Sequence, residues 1–259
     1  MPIFTDFFRL GTKAMKILGI IPARYASTRF PGKPLADIQG KPMIRRVYEQ
    51  SATAQSLDSV VVATDDERIA EAVRSFGGNV VMTATTHQSG TDRCREALDI
   101  VGGTFDAVVN IQGDEPFIHP SQIDQLAEML INTNVPIATL ARRIDDAAEL
   151  FNPNVVKVVQ SSQGKALYFS RHPIPFQRQY ETAVWIENYP FLAHVGLYAY
   201  RAEALRVIAG LSPSMLEMAE SLEQLRWLEN GFSIGLGITE KQNIGIDTPE
   251  DLKKIANFF

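Results

Sequence analysis

Three cations crowd one short stretch of this chain. The segment Pro22-Ala23-Arg24-Tyr25-Ala26-Ser27-Thr28-Arg29-Phe30-Pro31-Gly32-Lys33 follows an apolar run at residues 16–21 (KILGII). Ser27, Thr28 and Gly32 supply small side chains and accessible backbone donors between Arg24, Arg29 and Lys33. Guanidinium groups fork phosphate oxygens and an ammonium acts as a mobile point charge, so the loop has the chemistry to wrap an anionic polyphosphate. It is not a Walker loop, because no Gly-Lys pair is followed by Ser or Thr. A second candidate, Ile111-Gln112-Gly113-Asp114-Glu115-Pro116, closes the apolar run at residues 107–112 (AVVNIQ). A carboxylate there is placed to hold Mg²⁺, which takes hard oxygen ligands shared with substrate phosphates. A third is Ile246-Asp247-Thr248-Pro249-Glu250-Asp251; by spacing alone Asp247 is equally a cap before a helix that starts at Pro249.

These segments need elements to carry them. Residues 59–64 (SVVVAT) and 80–82 read as strands buried on both faces, as in parallel sheets. Residues 42–55 put Met43, Ile44 and Val47 on one helical face, and Ile69, Ala70, Val73 and Phe76 recur at helical spacing between caps at Asp65 or Asp66 and Gly77. Residues 92–101 and a stretch opened by Pro120 complete a strand–helix alternation that predicts a mostly parallel α/β sheet covered on both faces. Pro22 is expected to end the first strand. In such sheets ligands bind beyond the carboxyl ends of the strands, where the basic loop and Asp114 both fall.

The middle third changes character. Residues 155–160, 166–170 and 194–200 read as strands without helices between them, split by the Pro- and aromatic-rich stretch 172–190. This predicts an antiparallel insertion at about residues 151–200, used as a lid or a dimer arm. Helices at 202–209 and 219–229, a strand at 232–238 and a terminal helix from Pro249 follow. Residues 15–259 are expected to form one domain. Residues 1–14 (MPIFTDFFRLGTKA) share no periodicity with it and are expected to be a disordered or non-native extension, since Met15 stands directly before the first strand.

Composition narrows the function. Of 259 residues, 45% are hydrophobic and 21% charged, the balance of a globular protein with ample core. A formal net charge of −5 argues against a nucleic-acid partner. One cysteine, Cys94, cannot form an internal disulfide, which suits a reducing compartment. No run approaches the roughly 18 apolar residues that span a bilayer. A cytoplasmic protein with neither nucleic-acid nor membrane partner is expected.

Taken together the segments resemble the sugar-activating cytidylyltransferases, and among them the 3-deoxy-manno-octulosonate (Kdo) type. The likeness is carried in order by IPARYASTRFPGKPL, GKPMI, VATDD, HQSGTDR, NIQGDEP, FNPNVVKVV, ALYFSR, HVGLYAY, LEQLRWLENG and IDTPEDL. One departure is Pro175-Phe176, where many members carry Pro-Trp. The resemblance implies a nucleotidyltransferase (Rossmann-like) sheet with helices on both faces and an antiparallel insertion used for homodimers. It implies that CTP and Kdo give CMP-Kdo and pyrophosphate with Mg²⁺, activating the sugar for lipopolysaccharide assembly. Arg24 and Lys33 would bind the triphosphate, supported by Ala23, Ser27 and Arg29, while Asp114 and Asp247 would hold the metal. Asp65, Gln88, Ser89, Gly90, Thr91, Arg93 and Gln112 would bind the nucleotide, and Arg171, His194, Tyr198, Glu223 and Gln224 the sugar acid.

On residue type alone several of these stay open. Gly90-Thr91-Asp92 also reads as a helix cap, His194 as a core histidine and Glu223 as a solvated helix position. Rival functions are the same chemistry on the 8-amino analogue of Kdo or another acid sugar, a nucleotide-sugar glycosyltransferase, and an inactive nucleotide sensor. Glu115 and His87-Gln88 fit the Kdo type, and Cys94 is expected to be inert.

Overall fold

The computed structural model describes residues 15–26, 30–242, 245–246 and 248–255. In chain order the elements are β1 (Ile17–Ala23), β2 (Asp37–Ile38), β3 (Lys41–Pro42), α1 (Met43–Ser51), β4 (Ser59–Thr64), α2 (Glu67–Ser75), β5 (Val80–Met82), α3 (Gly90–Val101), β6 (Ala107–Asn110) and α4 (Pro120–Asn132). There follow β7 (Ile137–Arg143), α5 (Ala147–Phe151), β8 (Lys157–Gln160), β9 (Ala166–Ser170), α6 (Trp185–Asn188), β10 (Leu192–Arg201), α7 (Ala202–Ile208), α8 (Met215–Glu220), α9 (Gln224–Glu229), β11 (Ile234–Ile238) and α10 (Pro249–Ile255). The main sheet runs β11-β7-β10-β6-β1-β4-β5, with β8 paired to β10 and β9 to β8. Its strands are parallel except β10, which runs against both β6 and β7, and the β8–β9 pair. A small antiparallel sheet, β2–β3, stands apart.

Strands buried on both faces explain the continuous apolar runs. Ile17, Ile21 and Ala23 of β1 pack with α1, α2 and α4 on one face, through Ile44, Val47, Ile69, Val73, Ile123 and Leu126. Leu18 and Ile20 face the other layer, where Cys94, Ala97 and Leu98 of α3 meet Leu205, Ile208, Leu225 and Trp227. Cys94 is buried, and desolvation raises its thiol pKa far above the ordinary range, so it stays protonated and inert.

Several boundaries differ from expectation, and two of the differences have a clear physical cause. β1 continues through Pro22 to Ala23, because Pro22 still pairs in register with Ala63 of β4. Its missing N–H points to the β6 side, where pairing ends at Ile20–Asn110, so no ladder bond is lost. The helix expected over 219–229 is two helices. Ser221 adopts φ +51°, and the Leu222 N–H returns to the Glu217 carbonyl at 3.2 Å, which closes α8 and re-aims the chain into α9. Among the described residues no helix is long and apolar enough to cross a membrane.

Candidate active site

The basic loop leaves β1 with Arg24 exposed and returns through Gly32, whose N–H donates to the Tyr25 carbonyl at 2.9 Å. Gly32 sits at φ +72°, a conformation that favours glycine, and a Cβ there would press on the Tyr25 ring at 3.1 Å. The Arg68 guanidinium covers the same ring, 3.3 Å from its centroid. A short 3₁₀ turn then projects Lys33, whose Nζ donates to Asp114 Oδ2 at 2.7 Å. The lysine of the basic loop and the strand-end carboxylate, remote in sequence, thus meet at one point. Their side chains are 14% and 33% exposed, so both remain open to a ligand.

A small apolar cluster makes that meeting possible. Ile38, Met43 and Ile246 are buried together with Phe30, Phe117 and Leu252 packed around them. The cluster ties the basic loop, the turn after β6 and the chain leading into α10. The Ile246 N–H donates to the Asp114 carbonyl at 2.9 Å, which brings the third candidate segment onto the second. Gly113 allows the approach: a Cβ there would lie 2.8 Å from the Pro22 carbonyl oxygen. Ser27, Arg29 and Asp247 lie outside the described residues.

On the neighbouring edge, Ser89 caps α3. Its Oγ accepts from the Asp92 N–H at 3.1 Å while the Asp92 carboxylate accepts from the Ser89 N–H at 3.2 Å, a capping box. The cap aligns the N-terminal N–H groups of α3 at the edge of the site, with Gly90 against Pro22 and Asn110. Gln88 is exposed and donates to the Thr86 carbonyl. Two residues expected at the nucleotide lie deeper. Arg93 is 1% exposed and donates to Asp65 Oδ2 at 2.8 Å and to Thr83 Oγ1 at 2.5 Å, holding the ends of β4 and β5 to α3. Thr91 is buried and donates to Glu223 Oε2 at 2.9 Å. Both position the α3 start from behind.

The Arg93–Asp65 pair yields a stability prediction. Removing one partner of a buried pair leaves an uncompensated charge and costs about 3–5 kcal/mol. Asp65→Ala is expected to lower urea-unfolding stability by about 3 kcal/mol, the lower end because its carboxylate is partly exposed. A variant of unchanged stability with weakened CTP binding would make Asp65 a ligand contact instead.

The expected sugar residues gather on the sheet face beside α9. His194 and Tyr198 lie on β10 with ring centroids 5.3 Å apart, and Phe169 meets His194 edge-on. Burial pushes the His194 imidazole down to about 3, so it is neutral near pH 7. Glu223 and the buried Gln224 open α9, and burial raises the Glu223 carboxyl above the usual range. Nε1 of Trp227 is buried without a hydrogen-bond partner among the described residues, while the buried hydroxyls of Tyr198 and Tyr200 face Thr139 and Asn110 with Thr91, respectively. Arg171 is committed elsewhere: its guanidinium donates to the carbonyls of Glu220, Pro153 and Ser221 at 2.7, 3.0 and 3.1 Å. It therefore fastens the α8–α9 break to the loop after α5. Gln112 donates through Nε2 to the Gly196 carbonyl at 2.9 Å, an internal bond on β10. Residue type gave no warning of Thr139, a buried threonine between apolar neighbours on β7 whose hydroxyl meets His194 Nε2 at 3.0 Å.

The donor set suits a hard divalent ion shared with phosphate. Among the described residues no three His, Cys, Asp or Glu side chains cluster as a closed metal cage. Asp114 instead presents a partly exposed carboxylate beside the cationic loop, and Mg²⁺ takes one or two carboxylates plus substrate oxygens.

A parallel α/β sheet with a cationic loop and an acidic turn at its carboxyl edge is the plan of a nucleotide-handling enzyme. The cytidylyltransferase family model matches residues 18–241, and the chain belongs to the cytidylyltransferase family. Within it, the chain is 58% identical over 248 residues to the 3-deoxy-manno-octulosonate cytidylyltransferase of Parabacteroides distasonis, covering 94% of this chain and 98% of that protein. It is 56% identical over 247 residues to the enzyme of the same name from Bacteroides thetaiotaomicron, covering 94% and 98%. A solved CMP:2-keto-3-deoxy-manno-octonic acid synthetase complexed with CTP superposes with a TM-score of 0.87 at 44% identity, over 94% of this chain and 98% of that one.

Proposed function

We propose that this protein transfers CMP from CTP to the anomeric hydroxyl of 3-deoxy-D-manno-octulosonate, releasing pyrophosphate. The observation that carries the reading is the Lys33–Asp114 contact at the carboxyl edge of the sheet, in a chain sharing more than half its residues with curated enzymes of that name. The sugar oxygen forms a bond to the α-phosphorus as the bond to pyrophosphate breaks in line, and the hydroxyl proton leaves to solvent. Negative charge grows on the attacking and leaving oxygens, so the protein's contribution is positioning and electrostatics.

Lys33 and Arg24 meet the triphosphate, with Ala23, Ser27 and Arg29 shaping the loop. Ser89, Gly90 and Gln88 take the cytosine at the capped start of α3, with Thr91, Arg93 and Asp65 behind them and Gln112 alongside. His194, Tyr198, Glu223 and Gln224 receive the sugar hydroxyls, and Arg171 holds the wall around them. Asp114 and Asp247 would hold Mg²⁺, which when bound compensates charge on the α-phosphate and lowers the pKa of the attacking hydroxyl. His194, being neutral, offers hydrogen bonds and no charge.

The proposal extends to a cytoplasmic homodimer that pairs through residues 151–200. Leu167, Phe176 and Tyr180 support this, being apolar side chains 60%, 73% and 45% exposed on that segment. Pyrophosphate release measured with CTP and each acid sugar tests the activity. Kdo should turn over fastest. A faster 8-amino analogue would change the substrate, and no release with any acid sugar would refute the reading.

A further inference from the structure

The register of β10 contains a break whose effect falls on the sugar side of the site. Val195 stands opposite Leu140 of β7, but the next pair is Tyr198 with Thr139, so Gly196 and Leu197 are extra residues on β10. On a regular strand His194 and Tyr198 would be separated by four residues, about 13 Å. Their partners on β7, Ala141 and Thr139, are only two residues apart, and the two rings come to 5.3 Å. The bulge draws them together.

A bulge frees carbonyls that need donors. Gly196 O receives Gln112 Nε2 at 2.9 Å. Leu197 O and Val195 O lie 2.8 and 3.2 Å from Thr139 Oγ1, which also meets His194 Nε2 at 3.0 Å. A hydroxyl has one proton, and carbonyls can only accept. Placed on the nearer bulge carbonyl, Leu197 O, the one Thr139 proton leaves the hydroxyl oxygen to accept from His194 Nε2–H. That fixes the imidazole as the Nε2–H tautomer and leaves Nδ1 as an acceptor. Thr139 is fully buried and closed off from solvent, so it acts through its neighbours.

We infer that Thr139 is a positioning residue for acid-sugar recognition: its hydroxyl locks the β10 bulge and sets the tautomer of His194. The inference rests on the proposed Kdo site. Thr139→Val keeps the shape and removes the hydroxyl, while Thr139→Ser keeps the hydroxyl. Loss of a buried hydrogen-bond partner is expected to raise KM for Kdo by about tenfold in Thr139→Val. KM for CTP should change by less than about twofold, since the capped start of α3 is untouched. Thr139→Ser should restore KM for Kdo. Should Thr139→Val fail to fold, Thr139→Ser and Thr139→Ala give the same comparison, differing only in the hydroxyl.

Nitrogen-15 NMR of the imidazoles in the ligand-free protein provides a readout independent of turnover. The wild type should show His194 as the Nε2–H tautomer with a hydrogen-bonded proton, and Thr139→Val should lose that signal. An Nδ1–H tautomer in the wild type, failure of serine to rescue, or an equal rise in KM for CTP would overturn the inference. Absence of wild-type turnover with any acid sugar would instead refute the functional reading, while the imidazole spectrum still decides the Thr139 contact.

Discussion

Asp114→Asn is expected to lower Mg²⁺-dependent turnover by about 10²–10³, the usual loss on removing one group that stabilises transition-state charge. The substitution keeps size and hydrogen-bonding capacity but removes the anion. Two consequences follow at the site. Lys33 Nζ loses its ionic partner at 2.7 Å, and the proposed Mg²⁺ loses a hard ligand where the α-phosphate is held. The fold should persist. The carboxylate is 33% exposed, and ion pairs near the surface contribute about 0–1 kcal/mol. Its backbone carbonyl still receives the Ile246 N–H, so the segment entering α10 stays docked. Melting temperature and rate against Mg²⁺ concentration, measured on one preparation, separate the outcomes. A fully active variant would remove Asp114 from the proposed site, and a strongly destabilised one would make it structural.

The parts of this molecule readable in the sequence are those where one local rule dominates. Strand β4 was legible because Val60, Val61 and Val62 form an unbroken apolar run, as a strand buried on both faces must. Helix α2 was legible because its period and its Asp66 cap agree, with the Arg68 N–H donating to the carboxylate at 3.0 Å. The basic loop and Asp114 pointed to one place because each follows an apolar run, β1 and β6, at the same sheet edge. What joins them was hidden: Ile38, Met43, Phe117 and Ile246 form their cluster through tertiary packing without shared periodicity. Pro22 misled, because its cost depends on whether a neighbouring strand needs its N–H.

The residues lining the nucleotide and sugar sides were less legible for a related reason. Charged side chains in a motif suggest ligand contact, yet Arg93 and Arg171 spend their guanidinium groups on Asp65, Thr83 and backbone carbonyls. Whether an arginine faces inward depends on the unpaired groups the fold leaves nearby, which no spacing records. Thr139 was invisible for the opposite reason. Between apolar neighbours it reads as one more β-branched strand residue, and only the two extra residues of β10 give its hydroxyl work.

The largest effect is expected from Lys33→Ala. In the resting structure the ammonium neutralises Asp114, with a side chain only 14% exposed at the mouth of the basic loop. A triphosphate entering beside Arg24 carries several negative charges, so the proposed course for Lys33 is exchange of a carboxylate partner for phosphate oxygens. During transfer the leaving pyrophosphate gains charge, and the ammonium binds that developing charge more strongly than it binds bound CTP. Interactions that strengthen in the transition state appear in kcat as well as in kcat/KM. Lys33→Ala is therefore expected to lower kcat by about 10²–10³ or more. KM for the acid sugar should stay nearly unchanged, because His194, Tyr198 and Glu223 are carried by other elements. Lys33→Arg should recover only part of the rate, since a planar fork does not reproduce a compact ammonium on a flexible stem. Both variants should melt near the wild-type temperature, because the Gly32 turn and the buried Pro34 hold the loop without the ammonium. Steady-state kinetics in CTP and in sugar, set beside thermal melts, check all of this. Wild-type kcat in Lys33→Ala would show that the loop does not serve the phosphates.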